Sequence, residues 1–447
     1  MCEQVTRELG VWLSGRVYWI QHGTRGGAYY TLSDRVLDKN QQLVPLFEPD
    51  YRKKKKKYSD YVKTHGFITN SLCRQLLKIN VNAYINENST EFYRGCPELN
   101  KDITNQHIYN KQIKIDDRKA FYFQWHFIEN CNLRCIHCYQ EGYDFKDLDK
   151  DKVFQIAKSM DQVLSKWGKI GRISLTGGEP FIRQDLLEEL LNFFNQSNNI
   201  YWLGILTNGT LIDNDIVLRL KKFEKLKEIQ VSIDGSDDKN HDLVRGKGSF
   251  IKAINGIKKI KDSGLGVSIM FTIHNMNKGE AINVINLAND LGVEAITIER
   301  ITPMTKKDIN DLYIKPDELK KIYSQIYKKK QELEQHSELK IRVSRPLWTL
   351  VDNNLGGFCP VGLTSLCIMH DGTVLPCRRL DIPLGNVLQE GLFKIWYTSE
   401  LLWKLRNKNL LDVKCRSCAM LPNCGGCRAI AYHVNGDFLA SDPQCWK

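Results

Sequence analysis

"AFYFQWHFIENCNLRCIHC", residues 120 to 138, joins an aromatic, strand-like run to three cysteines separated by three and then two residues. Aromatic residues alternating with others over nine positions read as a β-strand. Cys131, Cys135 and Cys138 therefore fall on a loop at the carboxyl end of that strand. Three thiolates on one short loop can hold three corners of a cubane iron-sulfur cluster and leave the fourth iron open. Structural zinc, the competing reading, usually pairs its cysteines in two separate knuckles.

Downstream of this stretch, apolar strand-like runs alternate with amphipathic ones. "RISLT", "YWLGILT", "EIQVSI", "VSIMFTI" and "EAITIERI" follow the first strand. Between them "DKVFQIAKSMDQVLSKW", "RQDLLEELLNFF", "DIVLRLKKF", "FIKAINGIKKI" and "EAINVINLANDL" place apolar residues at helical spacing, and "KPDELKKIYSQIYKKKQEL" predicts a sixth helix. Repeated βα units predict an α/β fold with a parallel sheet. Six units are fewer than the eight that close a full barrel, so the pattern predicts a partial (β/α)6 TIM-like barrel with its site at the carboxyl ends of the strands. The second strand ends in "LTGGEP", where Gly177 and Gly178 permit close backbone approach and Glu179 supplies a carboxylate. "LTNGT" (Thr207 to Thr210) and "VSIDG" (Ser232, Asp234) end the next two strands at the same rim, and His274, Asn275 and Arg300 follow or end the fifth and sixth.

Fourteen cysteines are many for a reducing compartment, where close spacings point to metal or cluster binding before disulfides. Eight of them lie between 359 and 445: Cys359, Cys367, Cys377, Cys415, Cys418, Cys424, Cys427 and Cys445. Paired zinc knuckles are the competing reading for this region. Cys2, Cys73 and Cys96 have no partner at cluster spacing.

The cysteine triplet, the "GGEP" turn, "SIDG" and the downstream "HDLVRGKGSF" together resemble the radical S-adenosylmethionine superfamily over residues 120 to about 333. The resemblance implies a [4Fe-4S] cluster whose fourth iron takes S-adenosylmethionine, and cleavage of that cofactor to a 5'-deoxyadenosyl radical. Carried over by position, Gly177, Gly178 and Glu179 contact the methionyl amino group, and Ser232 with Arg245 holds its carboxylate. Asp234 is a ribose candidate. His137 stands where the family places an aromatic ring against adenine, a mild departure that keeps a flat ring.

The C-terminal pattern "CPVGLTSLCIMHDGTVLPC" with "CRSCAMLPNCGGC" resembles the SPASM extension, departing only in the two-residue gap between Cys424 and Cys427. That resemblance implies two auxiliary clusters. Cys359, Cys377 and Cys427 would hold one, with Cys367 as its fourth ligand, and Cys415, Cys418, Cys424 and Cys445 the other, for three [4Fe-4S] clusters in all.

The expected organisation is an accessory domain at 1 to 118, a radical S-adenosylmethionine barrel at 119 to 335 and a SPASM domain at 336 to 447. The expected function is maturation of a ribosomally made precursor peptide, by crosslinking or another radical alteration. An anaerobic sulfatase maturase and a non-enzymatic, metal-stabilised binding protein are the alternatives. A one-electron donor such as flavodoxin or ferredoxin is the further partner.

At 447 residues, 42% hydrophobic and 26% charged, the chain reads as soluble and globular. No apolar run approaches the roughly 20 residues needed to span a bilayer, and the N-terminal residues lack a signal-peptide pattern, so the expected location is cytoplasmic, with no membrane partner. Of the formal charge of +12, residues 1 to 120 supply 20 Lys and Arg against 13 Asp and Glu, focused in "RKKKKKY" at 52 to 58. A solvated face is the plain reading of that run, and an acidic leader peptide the functional one. Stacking aromatics do not interleave the lysines, which disfavours nucleic acid.

Overall fold

A computed structural model describes residues 120–447, apart from 141, 143–147, 358 and 422, together with five short strands nearer the N-terminus. "RKKKKKY", Cys2, Cys73 and Cys96 lie outside the described residues. The chain divides into two compact units. One gathers the N-terminal strands with Gln162–Lys169 and Gly391–Glu400. The other contains Phe121–Asp161, Ile170–Glu390 and Leu401–Lys447. In the first unit β1 (Gly10–Leu13), β2 (Arg16–His22) and β3 (Ala28–Leu32) form an antiparallel sheet, and β4 (Arg35–Leu37) pairs with β5 (Leu43–Pro45).

The second unit is built on one ten-stranded sheet. Its barrel strands are β6 (Ala120–Ile128), β7 (Ile170–Gly177), β8 (Ile200–Thr207), β9 (Leu226–Ser232), β10 (Val267–Ile273) and β11 (Ala295–Arg300). These coincide with the six strands that the sequence predicts. Neighbours from β7 to β11 pair in parallel, in chain order. The helices that return the chain are α1 (Lys150–Trp167), α2 (Gln184–Gln196), α3 (Asn214–Leu220), α4 (Asp238–Arg245), α5 (Ser249–Asp262), α6 (Ala281–Leu291), α7 (Lys306–Asp311) and α8 (Pro316–Leu333). The α/β partial barrel thus stands as predicted.

The pattern in β10 shows why these residues form this sheet. Val267, Ile269, Phe271 and Ile273 are buried, and the intervening Ser268 turns its hydroxyl to Glu228 of β9. In β6, Phe121, Phe123, Trp125 and Phe127 are buried, Trp125 meeting Phe194 of α2 edge-on at 6.2 Å. Tyr122, Gln124 and His126 alternate with them and take the opposite face. Each fully buried aromatic of this size contributes on the order of 2 to 3 kcal/mol of apolar burial.

Four further strands join where the sequence shows no regular alternation. β12 (Lys340–Arg342) adds in parallel to β11, and β13 (Ser365–Ile368) adds in parallel to the other side of the sheet, against β6. β14 (Thr373–Leu375) and β15 (Gly385–Asn386) follow antiparallel. The cysteine-rich region therefore continues the barrel sheet. No helix among the described residues is long and apolar enough to cross a membrane.

Candidate functional site

The strand-end turns are built around the loop that follows β6. The backbone of "GGEP" hydrogen-bonds along it: Gly178 N–H donates to Ile128 O at 2.9 Å and Glu179 N–H to Asn130 O at 2.9 Å. A Cβ at Gly177 would stand 1.9 Å from Ile128 O, and one at Gly178 would stand 2.3 Å from the carbonyls of Glu129 and Asn130. Both glycines are thus required by the approach of two protein backbones. Glu179 is fully buried. Its carboxylate accepts from Thr207 Oγ1 at 2.7 Å, Asn208 N–H at 2.8 Å and Phe181 N–H at 3.1 Å, tying the turn to the end of β8. Burial pushes its carboxyl up to about 7 against these donors.

A second knot lies across the rim. Asp237 caps α4, accepting from Asn240 N–H at 2.8 Å, and Arg245 occupies the last turn of that helix. Its Nε donates to Asp234 Oδ2 at 2.6 Å and its Nη1 lies 3.9 Å from Cys135 Sγ. Asp234 is 0% exposed: Oδ1 accepts Thr272 N–H at 2.9 Å, and Oδ2 also faces His137 Nε2 at 3.3 Å. Burial, the largest influence, would raise this carboxyl, but the Arg245 charge together with His137, the Thr272 N–H and His241 holds it below its ordinary range. Asp234, which the resemblance offers to a ribose, pairs with Arg245 and His137. Ser232, half-buried at the end of β9, shares no hydrogen bond with Arg245 among the described residues.

Around Asp234 stand three imidazoles. His241 Nδ1 accepts Asp234 N–H at 3.2 Å, and the His137 and His274 rings lie 5.6 Å apart. His274 is fully buried with neither ring nitrogen hydrogen-bonded, and His137 Nδ1 is likewise buried without a partner. The turn that holds His274 is fixed by Asn277, which accepts His274 N–H at 2.8 Å and donates to Asp234 O and Thr272 O. Sequence reasoning did not single out Asn277 or Asn208, since each acts through one loop geometry and carries no spacing signal.

On the cluster loop, Cys131 Sγ accepts Leu133 N–H at 3.5 Å and stands 4.0 Å from Asn208 Nδ2. Amide and guanidinium donors aimed at sulfur fit thiolates that carry shared negative charge, as in an iron-sulfur cluster. Without that charge sink, burial pushes the Cys131 thiol up to about 11, and Glu179 and the other two cysteines push the same way. A cluster or metal taken up by these thiols would release protons. Among the described residues no three His, Cys, Asp or Glu side chains are grouped so as to hold a single metal ion.

In the C-terminal region Cys415, Cys418, Cys424 and Cys445 line one cavity of about 220 Å³. The Cys359 thiol is pushed up to about 12, first by burial and then by Cys427 and Cys377 beside it, and burial with Cys427 also raises that of Cys377 against Arg379. Cys367 is buried on β13, opposite Leu375 of β14, and its thiol is pushed up by burial, with Arg378 opposing and Cys377 adding. Tyr139, next after Cys138, lies beneath the guanidinium of Arg378, next after Cys377, at 4.1 Å.

The model of the radical SAM superfamily matches residues 125–288, and the SPASM iron-sulfur cluster-binding domain matches 359–427. An AdoMet-dependent heme synthase of Methanosarcina barkeri is 27% identical over 344 residues, 72% of this chain and 95% of that protein. Two solved structures share the fold. Streptococcus suis SuiB bound to precursor peptide SuiA covers 95% of this chain and 97% of its own, with a TM-score of 0.61 and 16% identity. Native anSMEcpe with bound AdoMet and Cp18Cys peptide covers 73% of this chain and 94% of its own, with a TM-score of 0.61 and 18% identity.

Proposed function

We propose that this chain, which carries a radical SAM domain and a SPASM iron-sulfur domain, modifies a ribosomally made precursor peptide by hydrogen abstraction. The observation that carries the enzymatic part is the cysteine triplet, set on the loop after β6 with nitrogen donors on its sulfurs and the Arg245–Asp234–His137 knot beside it. S-adenosylmethionine, when bound, supplies the 5'-deoxyadenosyl radical that takes hydrogen from the substrate. This chain's own contribution is to hold the cluster loop rigidly against the GGEP turn through Glu179. It also keeps the Arg245 guanidinium beside Cys135, and it encloses the rim with neutral imidazoles. Cys131, Cys135 and Cys138 are the cluster ligands in this reading, with Gly177, Gly178, Glu179, Ser232, Arg245 and His137 around the cofactor. The eight C-terminal cysteines hold two auxiliary clusters. A flavodoxin or ferredoxin supplies the electron.

What supports a peptide substrate is extent. The likeness to SuiB, solved with its precursor peptide, runs over 95% of this chain, whereas the heme synthase match stops at 72%. An antiparallel sheet such as β1–β3 has the edge on which an extended leader strand pairs. The heme synthase relatives favour a second reading, in which a tetrapyrrole is the substrate.

Anaerobically reconstituted, reduced protein with S-adenosylmethionine should release 5'-deoxyadenosine, and Cys131, Cys135 and Cys138 all changed to Ala should abolish it. Given a short precursor peptide and, separately, an iron coproporphyrin, only the peptide should change mass. Turnover of the porphyrin with an unchanged peptide would hand the assignment to the second reading. Zinc without labile sulfide in the isolated protein would defeat both.

A further inference from the structure

The thiols of Cys359, Cys377 and Cys427 have cationic neighbours that the sequence patterns do not account for. Cys377 opens a tight turn, with Leu380 N–H donating to Cys377 O at 3.1 Å, so Arg378 and Arg379 form its tip. The Arg379 carbonyl is held at 3.0 Å by the His433 ring of α9 (Arg428–Asn435). From that tip Arg379 Nη1 reaches Glu299 Oε2 at 3.2 Å, while Arg345 Nε binds Glu299 Oε1. Glu299 sits near the carboxyl end of β11 and is buried. Two guanidinium groups thus share one carboxylate, which leaves one surplus positive charge in a confined place. Arg345 acts electrostatically on Cys359, and Arg379 acts on Cys427, Cys377 and Cys359.

The second group of cysteines has cations of another kind: Lys408 acts on Cys424, and Lys414 lines the cavity beside Cys445. Beside Cys445, Lys414 and Asp442 pull in opposite directions, and Asp442 is itself paired with Arg300 at 2.8 Å. Cluster potentials follow net local charge and hydrogen bonding, because reduction adds an electron to a buried anion.

We propose that Arg345 and Arg379, clamped on Glu299, raise the reduction potential of a cluster held by Cys359, Cys377 and Cys427. The inference rests on the iron-sulfur reading of the C-terminal region. Its direction comes from the clamp alone: removing either positive charge disfavours the reduced cluster nearby and leaves the other cluster untouched. Arg345 lies 14 residues before Cys359 and within no cysteine motif, so its replacement does not disturb a ligand's own turn.

The test uses the full chain with Cys131, Cys135 and Cys138 changed to Ala, reconstituted with iron and sulfide, and followed by electron paramagnetic resonance during a potentiometric titration. Two midpoints are expected. Arg345→Gln and Arg379→Gln should each move the same midpoint to more negative potential and leave the other in place, while Arg345→Lys, which keeps the charge, should hold it close to the parent value. A parent protein with no cluster signal defeats the iron-sulfur reading itself. Midpoints that Arg345→Gln leaves unmoved, or moves to more positive potential, overturn the proposal. Should Arg379→Gln fail to take up iron, Arg345→Gln decides alone.

Discussion

At the scale of single residues, the rim is organised by close approach. Gly178 illustrates it: its missing side chain is what lets the GGEP turn lie on the carbonyls of Glu129 and Asn130, at the root of the cluster loop. Gly178→Ala would put a methyl 2.3 Å from those carbonyls, so the loop must move. The expected result is a loss of roughly 1 to 3 kcal/mol by chemical denaturation and reduced iron uptake at the triplet, with iron at the C-terminal cysteines retained. Full iron occupancy in the variant would show that the loop tolerates the shift. The sequence marks these glycines as places of close approach, and the backbone of Ile128, Glu129 and Asn130 is what an added side chain would meet. Spacing reveals that a side chain is excluded and is silent on what excludes it. Asp234 shows the same limit. "SIDG" places it at the correct strand end, yet its pairing with Arg245 and His137 depends on α4 returning across the rim, which no local pattern encodes.

At the scale of elements, the six barrel strands were legible because each holds at least six residues with a sustained apolar face, and each is followed by an amphipathic run. β12 and β13, three and four residues long, were not. A run of that length carries too few positions to show a period, and what identifies β13 is its pairing: Ser365 to Ile368 lie in register with Tyr122 to Trp125. This bears on the boundary at 335 and 336 expected between barrel and SPASM domain. A chain ending at residue 335 would lose β12 and β13 together and leave β6 and β11 as bare edges flanked by buried aromatic side chains. Such a truncation should be insoluble, or lose the cooperative unfolding of the full chain by circular dichroism. A soluble, cooperatively folding 335-residue product would establish the barrel as independent of the cysteine-rich region.

At the scale of the whole molecule, the buried histidines set the response to acid. Burial lowers the imidazoles of His126, His137, His241 and His274, those of His137 and His241 to about 4. For His126 the neighbouring Arg378 adds to this, and for His137 Asp234 opposes it. An unfolded histidine titrates near 6.5. Between pH 6.5 and about 4 the unfolded chain therefore binds more protons at these sites than the folded one, and stability must fall as pH falls, by roughly 1.4 kcal/mol per pH unit for each proton. Glu179 works the other way, since its carboxyl is raised to about 7 in the folded state and the unfolded chain holds that proton less well. Four imidazoles against one carboxyl decide the sign. The depressed carboxyls of Asp234, Glu299 and Asp442 add to the loss only below their ordinary range of about 4. Urea denaturation of the metal-free protein should accordingly show stability declining from pH 6.5 to pH 4.5. The slope should be shallower in a His137→Phe, His274→Gln double variant and steeper in Glu179→Gln, which removes the one opposing proton. A stability that rises across this interval as the pH is lowered would mean that the rim opens to water before its imidazoles are charged.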